Sequence, residues 1–218
     1  MSDVDLLVVV KEPLRGDIGN ALMAELLNAS APPGGNGAIR PPEVTMVAGS
    51  RITPWRHPVR RELQFGEWLR ADIEAGRFEG SIVDPDVTIL LSKVLLHGTS
   101  LVGPEPRELF GPIPTSDVMQ ALLETAAQWN APEDWAGEER HIVLALARMW
   151  FTASTGAITS KDDAAHWLAE RLPEEHRTIV LGAAAAYRGE ADDELAHHPD
   201  AVSAFIHYAR AAIVEMAA

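Results

Sequence analysis

An α/β portion over residues 1–112 followed by an all-α helical bundle over 113–218 is the fold class this sequence predicts, and three observations carry it. Leu6-Leu7-Val8-Val9-Val10 is an unbroken apolar run stopped by Lys11-Glu12-Pro13, the pattern of a central strand buried on both faces. Glu43-Val44-Thr45-Met46-Val47 alternates polar and apolar with the period of a second strand. Beyond Gly111-Pro112-Ile113-Pro114, a linker by composition, every apolar pattern recurs at helical spacing.

The elements follow in order. Ile18, Leu22, Leu26 and Leu27 recur at helical intervals, so Asp17–Leu27 is expected to be a helix, and the Pro- and Gly-rich stretch from Asn28 to Asn36 a loop. Ile52–Trp55 reads as a short third strand stopped at Pro54. Val59–Ala75 reads as an amphipathic helix with Leu63, Phe65, Trp68, Leu69 and Ile73 on its apolar side. Asp86–His97 is a further helix with Asp84 or Asp86 placed to cap it. In the second portion, helices are expected from Thr115, capped by Thr115-Ser116-Asp117, to about Trp129, then over 138–152, 161–171, 174–187 and 201–216.

Composition narrows the function. The 218 residues carry 32 acidic against 18 basic side chains, a net charge of −14, and 47% are hydrophobic. That balance supports a packed core and argues against coating a phosphate backbone, which most of this surface would repel. It suits a cationic small molecule, and equally serves solubility. The absence of cysteine removes disulfides, zinc–thiolate sites and thiol nucleophiles. No apolar stretch reaches the ~18 residues of a membrane span, and Asp3 and Asp5 stand where a signal peptide would be basic. A cytoplasmic protein is expected.

Asp3-Val4-Asp5 leads into the first strand. Residues i and i+2 of a strand share a face, roughly 7 Å apart at the backbone, so both carboxylates can converge on one hard cation such as Mg2+. A solubilising strand start is the plainer reading of so short a motif. Glu43 begins the second strand; if that strand lies beside the first, three carboxylates assemble, two for metal and one for general base work on a hydroxyl. Trp129-Asn130-Ala131-Pro132-Glu133-Asp134-Trp135-Ala136-Gly137-Glu138-Glu139-Arg140 crowds carboxylates and two indoles into one interhelical segment. Such a segment suits ammonium groups and sugar faces, or else is a packed turn whose glutamates charge the next helix N-terminus. Only Lys11, Lys93 and Lys161 are lysines; Lys161, with Arg148, could neutralise a triphosphate, although each is by itself a plausible surface charge. The eight histidines have no ligand spacing, and Gly34-Gly35-Asn36-Gly37 lacks the ending of a phosphate loop.

The ordering of S-D-V-D-L-L-V (2–8), E-V-T-M-V (43–47), R-E-L-Q-F-G-E-W (61–68), W-N-A-P-E-D-W-A-G-E-E-R (129–140) and A-E-R-L-P (169–173) resembles one family along nearly the whole chain. It is the aminoglycoside 3''/9 O-adenylyltransferases, nucleotidyltransferases that act on streptomycin and spectinomycin. The resemblance implies a nucleotidyltransferase α/β domain and a C-terminal helical bundle, with ATP and Mg2+ between them. It implies metal-binding Asp3 and Asp5, and Glu43 as the base at the drug hydroxyl. By the same resemblance Ser2, Asp86, Arg148, Lys161 and Tyr187 contact nucleotide, and Trp68, Trp129, Asp134 and Glu138 contact drug. The Trp129/Asp134 type of pair accompanies streptomycin recognition, so both drugs are expected substrates of a monomer that needs neither nucleic acid nor membrane. Position 138 departs from the usual Asp by one methylene. The family also places a Gly-Ser pair ahead of D-x-D, and a chain beginning Met1-Ser2 is expected to lack it together with the first strand and helix of the nucleotidyltransferase fold, about 20–40 residues by ordinary element lengths. The alternative to an active transferase is therefore a truncated, catalytically weak drug- or nucleotide-binding pseudoenzyme. A nucleotidyltransferase-like interaction module fits less well, since partner binding does not call for the 129–140 pattern.

Overall fold

Residues 4–31 and 40–217 are described by the computed structural model, which divides into two units, Met1–Ile113 and Pro114–Ala218. Ser2, Asp3 and the Gly34–Gly37 segment lie outside the described residues.

The first unit is built on a four-stranded mixed sheet of order β1-β2-β3-β4. Strand β1 (Val4–Val10) runs parallel to β2 (Pro42–Ala48), and helix α1 (Gly16–Ala29) makes the crossover that parallel pairing requires. Strand β3 (Arg60–Phe65) pairs antiparallel with β2, and the short β4 (Ile82–Val83) with β3. The period of two in β1 divides its side chains between two cores. Leu6, Val8 and Val10 pack with Met23 of α1 and with Val44, Met46, Leu63 and Phe65. Leu7 and Val9 pack on the opposite face against Val47, Val59 and the Val87 and Leu91 side chains of helix α4 (Asp86–His97). Both faces of β1 are thus covered, as its apolar run predicts. Among the described residues β1 pairs with β2 alone. An apolar run reports what covers a strand's faces, whereas edge pairing is made by backbone groups that every residue carries.

Two expectations are corrected. The segment expected as a third strand, Ile52–Trp55, is not one: Gly49–Ile52 forms the short helix α2, and the strand lies later, at β3. Residues 59–75 are correspondingly not one helix but β3, a 3-10 turn at Glu67–Leu69 and helix α3 (Arg70–Glu74). Phe65, Trp68, Leu69 and Ile73 recur at helical spacing, whereas Leu63 and Phe65 satisfy a period of two. Pairing with β2 decides between them, because it satisfies the backbone and buries both residues together. Two buried charged side chains of β3 are held by ion pairs. Glu62 is buried, accepts from Arg51 Nη1 at 2.7 Å and from the Leu14 amide at 3.2 Å, and so ties α2 and the β1–α1 loop to the sheet. Arg61, also buried, pairs with Glu79 at 2.8 Å and Asp84 at 3.0 Å. Helix α5 (Pro106–Leu109) closes the unit, with Leu109 and Phe110 against the α4 side of the sheet.

The second unit contains helices α6 (Thr115–Ala126), α7 (Glu139–Thr155), α8 (Lys161–Ala169), α9 (Glu174–Arg188) and α10 (Pro199–Ala217). Helix α7 packs on all four others. The buried residues of the unit include Leu144, Leu146 and Ala147 of α7, Ala164, Ala165 and Leu168 of α8, Val180 and Ala183 of α9, and Phe205 and Ile206 of α10. Helix starts agree with the sequence reading to within two residues. The cap of α6 differs: Pro114 occupies the N-cap and no side chain bonds there, so Thr115-Ser116-Asp117 form the first turn. Gly156 (φ 70°) and Gly189 (φ 74°) end α7 and α9 in the left-handed conformation that glycine adopts without steric cost. No helix among the described residues is long and apolar enough to cross a membrane.

Candidate active site

In the first unit, register brings together what sequence spacing could not. Asp5 stands directly opposite Glu43 in the parallel β1–β2 pair. Asp5 shares its parity with Leu7 and Val9, so both carboxylates belong to the sheet face covered by α4. From that helix Lys93 reaches back, its Nζ 3.1 Å from Asp5 Oδ2. A cation is therefore already held by this carboxylate. Sequence reasoning noted Lys93 only as one of three lysines; its ion pair with the candidate metal ligand Asp5 is signalled by nothing but the packing of α4 on β1.

Two half-exposed carboxylates on adjacent strands suit a hard divalent ion, which takes oxygen ligands, and the ammonium on Asp5 marks the same preference for positive charge. Asp3, the further carboxylate in the expected metal set, lies outside the described residues. Among those described, no three acidic or histidine side chains converge as a metal cluster.

The other expected residues of this unit are placed as follows. Asp86 is exposed in the first turn of α4, and its amide donates to Asp84 Oδ1 at 3.0 Å, which makes Asp84 the residue that caps the helix start. Trp68 lies in the 3-10 turn after β3 and is 56% exposed, unusual for an indole.

In the helical unit the 129–140 segment is a structured turn. Asp134 Oδ2 accepts from the amides of Asn130 at 2.7 Å and Ala131 at 2.9 Å. These backbone bonds, that to Ala131 foremost, hold the Asp134 carboxyl below its ordinary value. Arg210 Nη2 donates to Asn130 Oδ1 at 2.8 Å and so fixes the turn to α10. Of the two indoles, Trp135 is buried, edge-on to His207, while Trp129 stays half-buried at the end of α6. The packed-turn reading accounts for Trp135 and for the bonded oxygen of Asp134; Trp129 and Glu138 remain accessible.

Glu138 precedes α7, and its carboxylate meets His141 Nδ1 at 3.1 Å. His141 was not among the expected site residues, and only its i+3 spacing from Glu138 could have signalled it. Burial and then the Lys161 charge push the His141 imidazole below its usual value, against the pull of Glu138. Arg148 lies seven residues beyond His141 on the same side of α7, which is less buried than the side facing its neighbours. Lys161 opens α8, a helix capped by Ser160, whose Oγ accepts the Asp163 amide at 3.0 Å. Its Nζ stands 5.6 Å from the Tyr187 ring centroid, so these two expected nucleotide contacts are neighbours. Arg188, adjacent in sequence, is engaged by Asp162 and Glu190 instead.

Paired carboxylates at the start of a parallel β–α–β unit, beside an ammonium, form a site able to hold a cation and accept a proton. Within the helical unit by itself, acidic, aromatic and cationic groups lie in one turn and at helix ends. The model of the aminoglycoside adenylyltransferase C-terminal domain matches residues 108–212. The chain is 47% identical over 215 residues to an aminoglycoside (3'') (9) adenylyltransferase of Escherichia coli, covering 99% of this chain and 82% of that protein. It is 38% identical over 212 residues to a spectinomycin 9-adenylyltransferase of Staphylococcus aureus, covering 97% and 81%. A crystal structure of a spectinomycin adenyltransferase from Enterococcus faecialis, with ATP and spectinomycin, superposes with a TM-score of 0.86 at 30% identity, over 97% of this chain and 84% of that one. The chain belongs to the aminoglycoside adenylyltransferase family, with an α/β nucleotidyltransferase fold followed by a helical domain.

Proposed function

We propose that the protein transfers AMP from ATP to a hydroxyl of streptomycin or spectinomycin and thereby confers resistance to them. One observation carries the reading: in a chain of this family, the strand register sets Asp5 against Glu43 at the sheet face that also holds Lys93. Glu43 takes the proton from the drug hydroxyl, whose oxygen forms a bond to the α-phosphorus of ATP while the bond to the departing pyrophosphate breaks. Asp3 and Asp5 are the residues that would hold Mg2+, which when bound stabilises charge on the phosphate oxygens. Ser2 and Asp86 in the first unit, and Arg148, Lys161 and Tyr187 in the second, are the proposed nucleotide contacts. Trp68, Trp129, Asp134 and Glu138 are the proposed drug contacts, the carboxylates for ammonium groups and the indoles for ring faces. The acidic surface draws the polycationic drug inward. The reading has the protein act as a cytoplasmic monomer.

The test is mass-spectrometric detection of adenylylated drug from purified protein, ATP, Mg2+ and each antibiotic. Glu43→Gln keeps the shape and removes the base, and is expected to lose about 10²–10⁴-fold in turnover with unchanged circular dichroism. Wild-type protein that binds drug calorimetrically yet transfers no AMP would replace this reading with the binding-only one.

A further inference from the structure

Trp68 is held in place by its neighbours to a degree its exposure does not suggest. The indole lies flat against the backbone of Gly66, two residues earlier. A Cβ at position 66 would overlap Cζ3 and Cη2 of the ring and stand 2.5 Å from Cε3. Gly66 is in extended backbone (φ −166°, ψ 160°), a conformation open to any residue, so the turn itself does not demand glycine there. What demands it is the ring.

The turn beneath is anchored on both sides. Glu67 is nearly buried, and Arg70 grips it with two hydrogen bonds, Nε to Oε2 at 2.8 Å and Nη2 to Oε1 at 2.9 Å. This fork keeps the Glu67 carboxyl ionised, below its ordinary value. The Leu69 amide closes on the Gly66 carbonyl at 3.0 Å. Behind the turn, Phe65 is fully buried in the sheet. An exposed tryptophan ordinarily samples several rotamers, and ordering it on ligand binding costs free energy that a pre-set ring avoids.

We infer that Gly66 is a positioning residue for substrate specificity: its missing side chain is the seat of the Trp68 indole and pre-orders that ring for the drug. The inference rests on the reading of Trp68 as a drug contact. Because Ala is compatible with the backbone at 66 and the ring can swing into solvent, Gly66→Ala displaces the indole rather than the fold.

The experiment is a double-mutant cycle on the full chain, with spectinomycin and ATP binding measured by calorimetry and KM and kcat by AMP transfer. Gly66→Ala is expected to weaken spectinomycin binding roughly tenfold, the cost of immobilising one large side chain. ATP affinity should stay within about twofold, since the nucleotide does not depend on this ring. In a Trp68→Ala background, Gly66→Ala should add nothing, because the group it displaces is gone. The 19F resonance of 5-fluorotryptophan at position 68 should shift in Gly66→Ala. Should Gly66→Ala fail to fold, the double variant, relieved of the overlap, should fold like Trp68→Ala alone. Gly66→Ala binding drug as the wild type does, effects that add in the double variant, or a double variant that stays unfolded would each overturn the inference. Trp68→Ala binding spectinomycin normally would instead overturn the reading of Trp68 as a drug contact, and this inference with it.

Discussion

The two units assemble their candidate residues by different physics. In the α/β unit Asp5 and Glu43 are far apart in sequence and meet only because two strands pair in one register; a slip of one residue would send one carboxylate to the opposite face. In the helical unit most neighbours are local. Glu138 reaches His141 one turn on, and Asp134 takes amides three and four residues back. Long-range pairing makes the first site depend on its sheet, whereas the second is built largely from turns and helix faces that each stretch of chain specifies for itself. Even there Lys161 and Tyr187, from α8 and α9, need tertiary packing.

The difference can be broken most forcefully at the sheet. Phe65→Ala empties a fully buried position and is expected to cost about 3–5 kcal/mol. Hydrogen exchange should lose protection across β1–β3, with α7 retaining its own; equal loss in α7 would mean that the two units unfold as one. Glu62→Gln removes the charge that Arg51 and the Leu14 amide share. The expected cost is about 2 kcal/mol in urea denaturation, less than for a fully buried pair because the Arg51 side chain is 37% exposed and can turn to water. In the helical unit a local device should yield less. Gly156→Ala places a side chain at φ 70° and should cost about 1 kcal/mol, read as a lower melting temperature with unchanged helix content.

The smallest effect is electrostatic. Since folding lowers the His141 pKa, the unfolded chain binds the proton more readily. The contribution of neutral His141 is therefore complete above the ordinary imidazole value of ~6.5 and is lost as pH falls through the lowered one. NMR titration of the His141 ring should show its pKa rising in Lys161→Met, which removes a repelling charge, and falling further in Glu138→Gln. An unchanged titration in Lys161→Met would mean that the two helices do not bring these groups together.

Legibility followed the same division. The helices of the second unit were readable because each carries its own apolar stripe, and α7 and α9 stop at their own glycines, Gly156 and Gly189. Asp5 and Glu43 were readable as carboxylates at strand starts, but their adjacency was not, since nothing in either segment names its partner. Phe65, Trp68, Leu69 and Ile73 misled because their spacing of three and four fits a helix stripe, while Leu63 and Phe65, two apart, share only a strand face. Lys93 and His141 were missed because each acquires its role from a neighbour: Lys93 through the packing of α4 on β1, His141 through a glutamate one turn away. Gly66 sat inside a motif noted for its tryptophan, and only the placement of the ring over the backbone gives the glycine a purpose.

By itself, then, the order of residues determined the fold class, the helical half and the kinds of groups available for chemistry, because periodicity, turn chemistry and side-chain functionality are local properties. Tertiary structure decided which strands pair, where Lys93 lands and how Trp68 is seated. Those outcomes depend on backbone hydrogen bonds and on contacts between segments far apart in the chain, and no window of sequence contains both partners.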